Sequence, residues 1–178
     1  MKLIFASDIH GSLYYTNLLI DKFNQEKANK LILLGDFLYH GPRNPLPKDY
    51  NPQEVANVLN KFKERIIGIR GNCDSEVDQM VLEFPISTLY TQVFVDNYLF
   101  FLTHGHRYTE NDLPQANHTI FTYGHIHVPV LERKHVIILN PGSISLPKNN
   151  NLPTYAIYDK GMISIKTFTG EVVKQLKL

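Results

Sequence analysis

The stretch Lys2-Leu3-Ile4-Phe5-Ala6-Ser7-Asp8-Ile9-His10-Gly11 decides how the rest of the chain is read. Its first six residues form an apolar run of the length of a short buried strand. Asp8 and His10 follow it two residues apart, a spacing that on an extended chain sends both side chains the same way. Gly11 then permits a sharp turn. A carboxylate oxygen and an imidazole nitrogen on a common side make half of a divalent-metal site. The same pair also suits a helix cap beside a surface histidine, and only what recurs downstream separates the two.

It does recur. Ser12 reads as the N-cap of a helix over residues 13 to 26, with Leu18, Leu19 and Phe23 at helical spacing. A second apolar run, Lys30 to Leu34, reads as a strand covered on both faces and ends in Gly35-Asp36. Residues 37 to 51 form a long, proline-rich loop, a length that favours a functional role. Asn51-Pro52-Gln53-Glu54 opens the next helix with an N-cap, a first-turn proline and a capping-box Glu, and Val55, Val58, Leu59 and Phe62 supply its apolar face. Arg65 to Arg70 is a third strand, ending in Gly71-Asn72-Cys73-Asp74, followed by a short helical stretch with Val77, Met80 and Val81 turned inward. Strand and helix alternate this far, which predicts parallel strands joined by helical crossovers.

The second half changes character. Gln92 to Asp96 and Tyr98 to Thr103 pair as a hairpin across Asp96-Asn97, and the second strand ends in His104-Gly105-His106. Asn111 to Ala116 reads as a short helix. Thr119 to Tyr123 is a strand ending in Gly124-His125-Ile126-His127, and His135 to Leu139 leads to Asn140-Pro141-Gly142-Ser143. Tyr155 to Asp159, Met162 to Phe168 and Val172 to Leu176 read as antiparallel strands. Five apolar runs thus end in metal-ligand residue types: Asp8 and His10, Asp36, Asn72, His104, and His125 with His127. In open α/β sheets ligands bind beyond the carboxyl ends of strands. A set of O and N donors gathered there suits a pair of borderline or hard divalent cations.

Composition narrows the rest. At 178 residues the chain reads as one domain, 1–178, large enough for a substantial core. A net charge of +1, with no basic run, gives no nucleic-acid surface. One cysteine, Cys73, excludes an internal disulfide and fits a reducing compartment. No apolar run reaches membrane-spanning length, and Asp8 and His10 interrupt what would be the core of a signal peptide. A cytoplasmic protein is expected, in which the sequon Asn117-His118-Thr119 is a chance match. Tyr and Phe side chains in the loops suggest a homo-oligomer.

The order Asp8-Ile9-His10, Gly35-Asp36, Gly71-Asn72, His104, Gly124-His125-Ile126-His127 resembles that of the calcineurin-like metallophosphoesterases, over nearly the whole chain. Gly41-Pro42-Arg43-Asn44, the run from Arg70 to Met80, Leu102 to His106 and Asn140-Pro141-Gly142-Ser143 look most like the small bacterial YfcE-type phosphodiesterases. The resemblance implies an α/β fold, a four-layer α/β/β/α sandwich with mixed sheets. It implies a phosphoric diester hydrolase in which a metal-bridging hydroxide attacks a small phosphodiester. Two divalent ions are implied, Mn2+ first and Fe, Zn, Ni or Mg as alternatives. Asp8, His10 and His127 would hold one ion, Asn72, His104 and His125 the other, with Asp36 bridging. Alternatives are a phosphomonoesterase or nucleotidase with the same centre, and a protein-interaction scaffold, a use of this fold in retromer.

Two departures from the family pattern matter. Many members carry His after the Gly-Asn, where it helps the leaving oxygen; here the residue is Cys73. Cys73 is read either as the residue facing the leaving group or as a small packing residue. Many members also carry a further Asp after the Gly-Asp, where this chain has Phe37-Leu38-Tyr39-His40. The catalytic set is therefore Asp36, Asn72, Cys73 and His104, with no general acid assigned. His40, Arg43 and His106 are candidates for phosphate contact, His106 equally for supporting a ligand. His118 and His135 read as exposed side chains without chemistry.

Overall fold

The computed structural model describes residues 1–113 and 118–178. Two mixed sheets stack face to face. The first has six strands in the order β11-β10-β9-β1-β2-β3: β1 Leu3–Ala6, β2 Lys30–Leu33, β3 Ile66–Gly68, β9 Thr154–Asp159, β10 Met162–Thr167 and β11 Val172–Lys177. The second has five, in the order β4-β5-β6-β8-β7: β4 Tyr90–Val95, β5 Tyr98–Thr103, β6 Thr119–Thr122, β7 Pro129–Arg133 and β8 Ile137–Pro141. β1, β2 and β3 run parallel, as do β5, β6 and β8.

The continuous apolar runs follow from burial on both faces. Ile4, Leu31, Leu33, Tyr155 and Ile157 turn toward the helices α1 (Leu13–Gln25) and α2 (Pro52–Asn60), where they meet Leu19, Phe23, Val55 and Leu59. Leu3, Phe5, Ile32, Ala156 and Tyr158 turn the other way and meet Phe100, Leu102, Ile120 and Leu139 between the sheets. Alternation along each strand therefore feeds two cores at once. Burying such a side chain contributes about 1.5–3 kcal/mol relative to leaving it exposed. On the outer face of the second sheet Phe101, Phe121 and Ile138 are covered by Leu113 and Tyr108, beside a 3-10 turn at Glu110–Asp112. The fourth layer is thin among the described residues. Of the helix read over Asn111 to Ala116, this turn overlaps the start, and Pro114 to Ala116 lie outside the described residues.

Three local readings need correction. Val77, Met80 and Val81 face outward on α3 (Glu76–Val81), with Val77 65% and Met80 83% exposed. Helical spacing shows which residues share a face, not which way that face turns. The short helix sits beyond the end of β3, past the reach of the core. At α2, Asn51 Oδ1 accepts from Glu54 N as expected, but the Glu54 carboxylate accepts from Asn57 Nδ2 and closes no capping box. β7 is a strand that the sequence pattern does not predict. It is an edge strand that opens on Pro129 and ends in the exposed pair Glu132 and Arg133, residue types that protect an edge and hide its pattern.

Because the parallel strands of both sheets point the same way, their carboxyl ends share one margin. Asp8 and His10 follow β1, Asp36 follows β2, Asn72 follows β3, His104 follows β5, and His125 and His127 follow β6.

Candidate metal centre

Asp8 and His10 reach this margin by a route different from the one their spacing suggests. β1 stops at Ala6, and both residues adopt left-handed backbone, at φ 56° and 50°. Asp36, His125 and His127 do the same, at 57°, 68° and 60°. An L-residue held there costs about 1–3 kcal/mol and persists only where its surroundings over-determine it. Here they do. Asp8 N donates to Gly35 O at 3.1 Å and His10 N to Asp36 O at 2.9 Å, which laces the two loops together. Ser143 Oγ and Ser145 Oγ both donate to Asp8 O, at 2.8 and 2.9 Å. Asn140 Nδ2 donates to Gly124 O at 2.8 Å.

Asp74, given no role from sequence, organises the next pair of loops. Its buried carboxylate accepts from Asp36 N at 2.9 Å, Phe37 N at 2.8 Å and Gly71 N at 2.6 Å. Burial and the Asp36 charge push it up to about 6, against those three N–H donors. The sequence signal was an acid two residues after the Asn72 ligand candidate. Glycine is required at Gly71 for close approach rather than for a turn: a Cβ there would fall inside contact distance of Asp36 Oδ1 and of the Asp36 backbone nitrogen.

The donor atoms converge. His10 Nδ1 faces Tyr39 O at 2.8 Å, His104 Nδ1 faces Leu34 O at 2.6 Å, and His127 Nδ1 faces Leu146 O at 2.6 Å. A carbonyl only accepts, so each Nδ1 carries a proton and each Nε2 is the atom turned inward, free to ligate once it holds no proton of its own. His10 Nε2 and His127 Nε2 lie 3.3 Å apart. His127 Nε2 is 3.3 Å from Asp8 Oδ1, a buried oxygen that no donor satisfies. Asp36 Oδ2 lies 3.5 Å from His104 Nε2 and 3.7 Å from His10 Nε2, while its Oδ1 accepts from Cys73 N at 2.9 Å. Asn72 Oδ1 stands 3.0 Å from His104 Nε2, its Nδ2 turned to Cys73 Sγ. Lone pairs facing one another at such distances repel unless a proton or a cation lies between them. Asp8, His10 and His127 form one cluster of potential ligands, Asp8, Asp36 and His104 another, and His10, Asp36 and Cys73 a third. His125 joins none of them; its ring lies 5.1 Å from that of His104, and its backbone N–H donates to Asp8 Oδ2 at 3.1 Å. The residues fit a divalent cation by donor type, tautomer and an orphaned carboxylate oxygen.

The charges confirm the pull on protons. Burial lowers His10 toward the neutral form a ligand needs. Burial also pulls His104 down, but its hydrogen bond to Asp36 and the charges of Asp8 and Asp36 outweigh that and raise it to about 9. Asp8 is buried, which alone would raise it, yet the His127 and His104 imidazoles hold it below the usual carboxylate range. Asp36 is also held well below that range, chiefly by His104 against the effect of burial.

A cleft of about 600 Å³ opens onto the cluster, with Asp36, Asn72, Cys73, His125 and His127 at its floor and Arg43 and Lys148 among its lining. Of the three residues read as phosphate contacts, Arg43 lines this cleft, while His40 and His106 do not. His40 is packed edge-on between Tyr39 and Tyr50. His106 stands edge-on to His104 at 5.4 Å. Burial, then the His104, His125 and Arg107 charges, push it down to about 4. Cys73 is half-buried in the lining of the cleft, and burial and Asp36 push its thiol up to about 12. His118 and His135 lie together in a separate depression with Tyr98 and Arg133. Lys148 was missed; in sequence it is one lysine in a polar turn, without a spacing signal.

Comparison with known proteins bears on this geometry. Residues 1–161 match the profile of the Calcineurin-like phosphoesterase superfamily domain. The phosphodiesterase YfcE of Escherichia coli is 48% identical over 167 residues, which cover 93% of this chain and 91% of that protein. A solved structure of the Escherichia coli phosphoesterase YfcE superposes with a TM-score of 0.96 at 44% identity, over 99% of both chains. A phosphodiesterase of Methanocaldococcus jannaschii is 27% identical over 168 residues, 89% of this chain and 93% of its own. Wild-type Vps29 of Entamoeba histolytica, solved with zinc, has a TM-score of 0.62 at 16% identity over 99% of both chains, a likeness of fold alone.

Proposed function

The chain belongs to the calcineurin-like phosphoesterase superfamily, and from that premise we propose that it is a metal-dependent phosphodiesterase acting on a small phosphodiester. The observation that carries the reading is the set of inward lone pairs: His10 Nε2 and His127 Nε2 at 3.3 Å, beside the unsatisfied Asp8 Oδ1. The diester class is supported by the names of the two phosphodiesterases it resembles.

In this reading Asp8, His10 and His127 hold one divalent ion, Asn72, His104 and His125 hold a second, and Asp36 serves both, with manganese the first choice. Such ions, when bound, supply positive charge for phosphoryl oxygens and lower the pKa of water. The chain does the rest. Leu34, Tyr39 and Leu146 carbonyls fix the tautomers of His104, His10 and His127. Asn72 offers a neutral oxygen, so it ligates without cancelling the charge meant for substrate. Burial of Asp8 and Asp36 keeps bulk water from screening that charge. The leaving oxygen meets little help: the Cys73 thiol keeps its proton and is a weak donor, and His106 is neutral at pH 7. The enzyme therefore favours diesters with leaving groups of low pKa.

We read residues 1–178 as one domain, working in a reducing, cytoplasmic compartment, since its single thiol sits beside the ligands. No helix among the described residues is long and apolar enough to cross a membrane. The outward Val77 and Met80 support a homo-oligomer, which sedimentation checks.

The test is to strip the protein with a chelator and reload it with Mn, Fe, Zn, Ni or Mg. Rates on an aryl diester and an aryl monoester are then compared. Faster diester cleavage at two bound ions per chain is expected. Faster monoester cleavage would overturn the diester reading, in favour of a phosphomonoesterase or nucleotidase.

A further inference from the structure

The loop after β8 reaches the cleft. Ser143 Oγ, which donates to Asp8 O, accepts from Leu146 N at 2.9 Å. Leu146 O accepts from His127 Nδ1 at 2.6 Å, and Lys148 N donates to His127 O at 3.1 Å. Lys148 O in turn accepts from Asn151 N at 3.1 Å and Asn151 Nδ2 at 2.8 Å, across a tight turn in which Asn149 and Asn150 are left-handed. The backbone of Lys148 is thus fixed on both sides, at a known place relative to two ligand candidates. Arg43 stands on the loop 41–44 of the same cleft, in a turn that Asn44 Nδ2 closes on His40 O at 2.8 Å.

Neither Arg43 nor Lys148 is paired with a carboxylate among the described residues. Asp36 is the one acid that lines the cleft, and it belongs to the metal centre. Charge balance then decides what the two cations are for. Two divalent ions bring four positive charges, and Asp8 and Asp36 return two. A diester anion and a hydroxide return two more. The chemistry is neutral without Arg43 and Lys148, which stand exposed in the lining of the cleft, so a diester with uncharged arms offers neither of them an anion.

We propose that Lys148 and Arg43 form a second anion subsite beside the metal centre, so that the preferred substrate is a phosphodiester bearing a further anionic group, carboxylate or phosphate, outside the scissile bond. This rests on the diesterase reading above. Lys148 is a specificity-determining residue, held in place by the same loop that orients His127.

The test compares two aryl phosphodiesters that differ by one carboxylate on the retained arm. It uses the manganese-loaded wild-type protein, Lys148→Met, Lys148→Arg and Arg43→Gln. Wild type is expected to favour the carboxylated diester about tenfold in kcat/KM, expressed in KM. Lys148→Met collapses that ratio toward one, Arg43→Gln lowers it, and Lys148→Arg restores it. An equal fall for both substrates would mean general steering of anions and would overturn the subsite. Phosphinate isosteres of both diesters, with carbon in place of the ester oxygens, are titrated in parallel by calorimetry. If no diester turns over but the affinity ratio still collapses in Lys148→Met, the diesterase reading fails and the subsite stands. If turnover is present and neither ratio changes, the subsite fails alone.

Discussion

Asp36 shows how much chemistry one side chain can concentrate. Its Oδ2 faces histidines that follow two different strands, and its Oδ1 is turned away to Cys73 N. Asp36→Asn keeps the shape and the Cys73 contact but removes the shared charge. We expect it to lower kcat by about 10³-fold or more, beyond the loss from Asn72→Ala or His125→Ala. Steady-state rates at saturating manganese check this, and an Asp36→Asn enzyme retaining most of its rate would remove the bridging role. Cys73 gives a second prediction. If residue 73 faces the leaving oxygen, Cys73→His brings there a proton donor of pKa near 6.5, and general-acid help is worth about 10²–10⁴-fold. Alkyl-type leaving groups should then gain more than aryl ones. Equal slopes of log rate against leaving-group pKa for the two folded, metallated proteins would clear Cys73 of that role. The identities of the ligand candidates were legible in the sequence because Asp and His stand out at the ends of apolar runs. Their left-handed backbone was not, since Asp and His tolerate that region without requiring it; Ser143, Ser145 and Gly35 hold Asp8 there from other parts of the chain.

At the scale of elements, strands were easier to read than faces. β1, β2, β5 and β6 are buried on both sides, so their apolar runs are unbroken and their ends easy to place. β7 and α3 lie at margins, where composition answers to solvent as much as to the core, and both were misread or missed. Gly71 joins β3 to the site, and its need for glycine is a property of two loops, not of its own turn. Gly71→Ala would press a methyl into Asp36 Oδ1 and the Asp36 backbone, and backbone cannot give way as a flexible side chain does. We expect a loss of about 1–3 kcal/mol in stability together with weakened metal retention. Urea unfolding and metal analysis measure the two. Wild-type values for both would show that the Asp36 loop yields to the methyl group and that Gly71 is not required for close approach.

The whole molecule keeps two carboxylates, Asp8 and Asp36, buried at one margin of its sheets, and something positive must accompany them wherever both are ionised. Without metal, that role falls to the proton on His104, raised to about 9 by its hydrogen bond to Asp36 and by both carboxylate charges, despite its burial. A histidine raised in the folded state adds stability that is fully present below its unfolded pKa of about 6.5 and is lost as pH rises through about 9. Asp8 and Asp36, held low, add stability that is present above their unfolded values and is lost only as pH falls through their depressed ones. The metal-free protein should therefore weaken as pH climbs from about 6.5 to 9, as the proton leaves and the carboxylates face each other bare. A cation replaces that proton, so binding must release it at neutral pH. Each unit of pH below the raised value of about 9 should weaken apparent metal affinity about tenfold, down to the ordinary histidine range. Calorimetry of manganese binding in two buffers of different ionisation enthalpy counts the proton, and thermal melts from pH 6 to 9 with and without manganese measure the coupling. The metal-induced rise in Tm should grow across that range. A rise independent of pH, with no proton released, would show that His104 is already neutral in the metal-free protein and that another cation guards the buried pair.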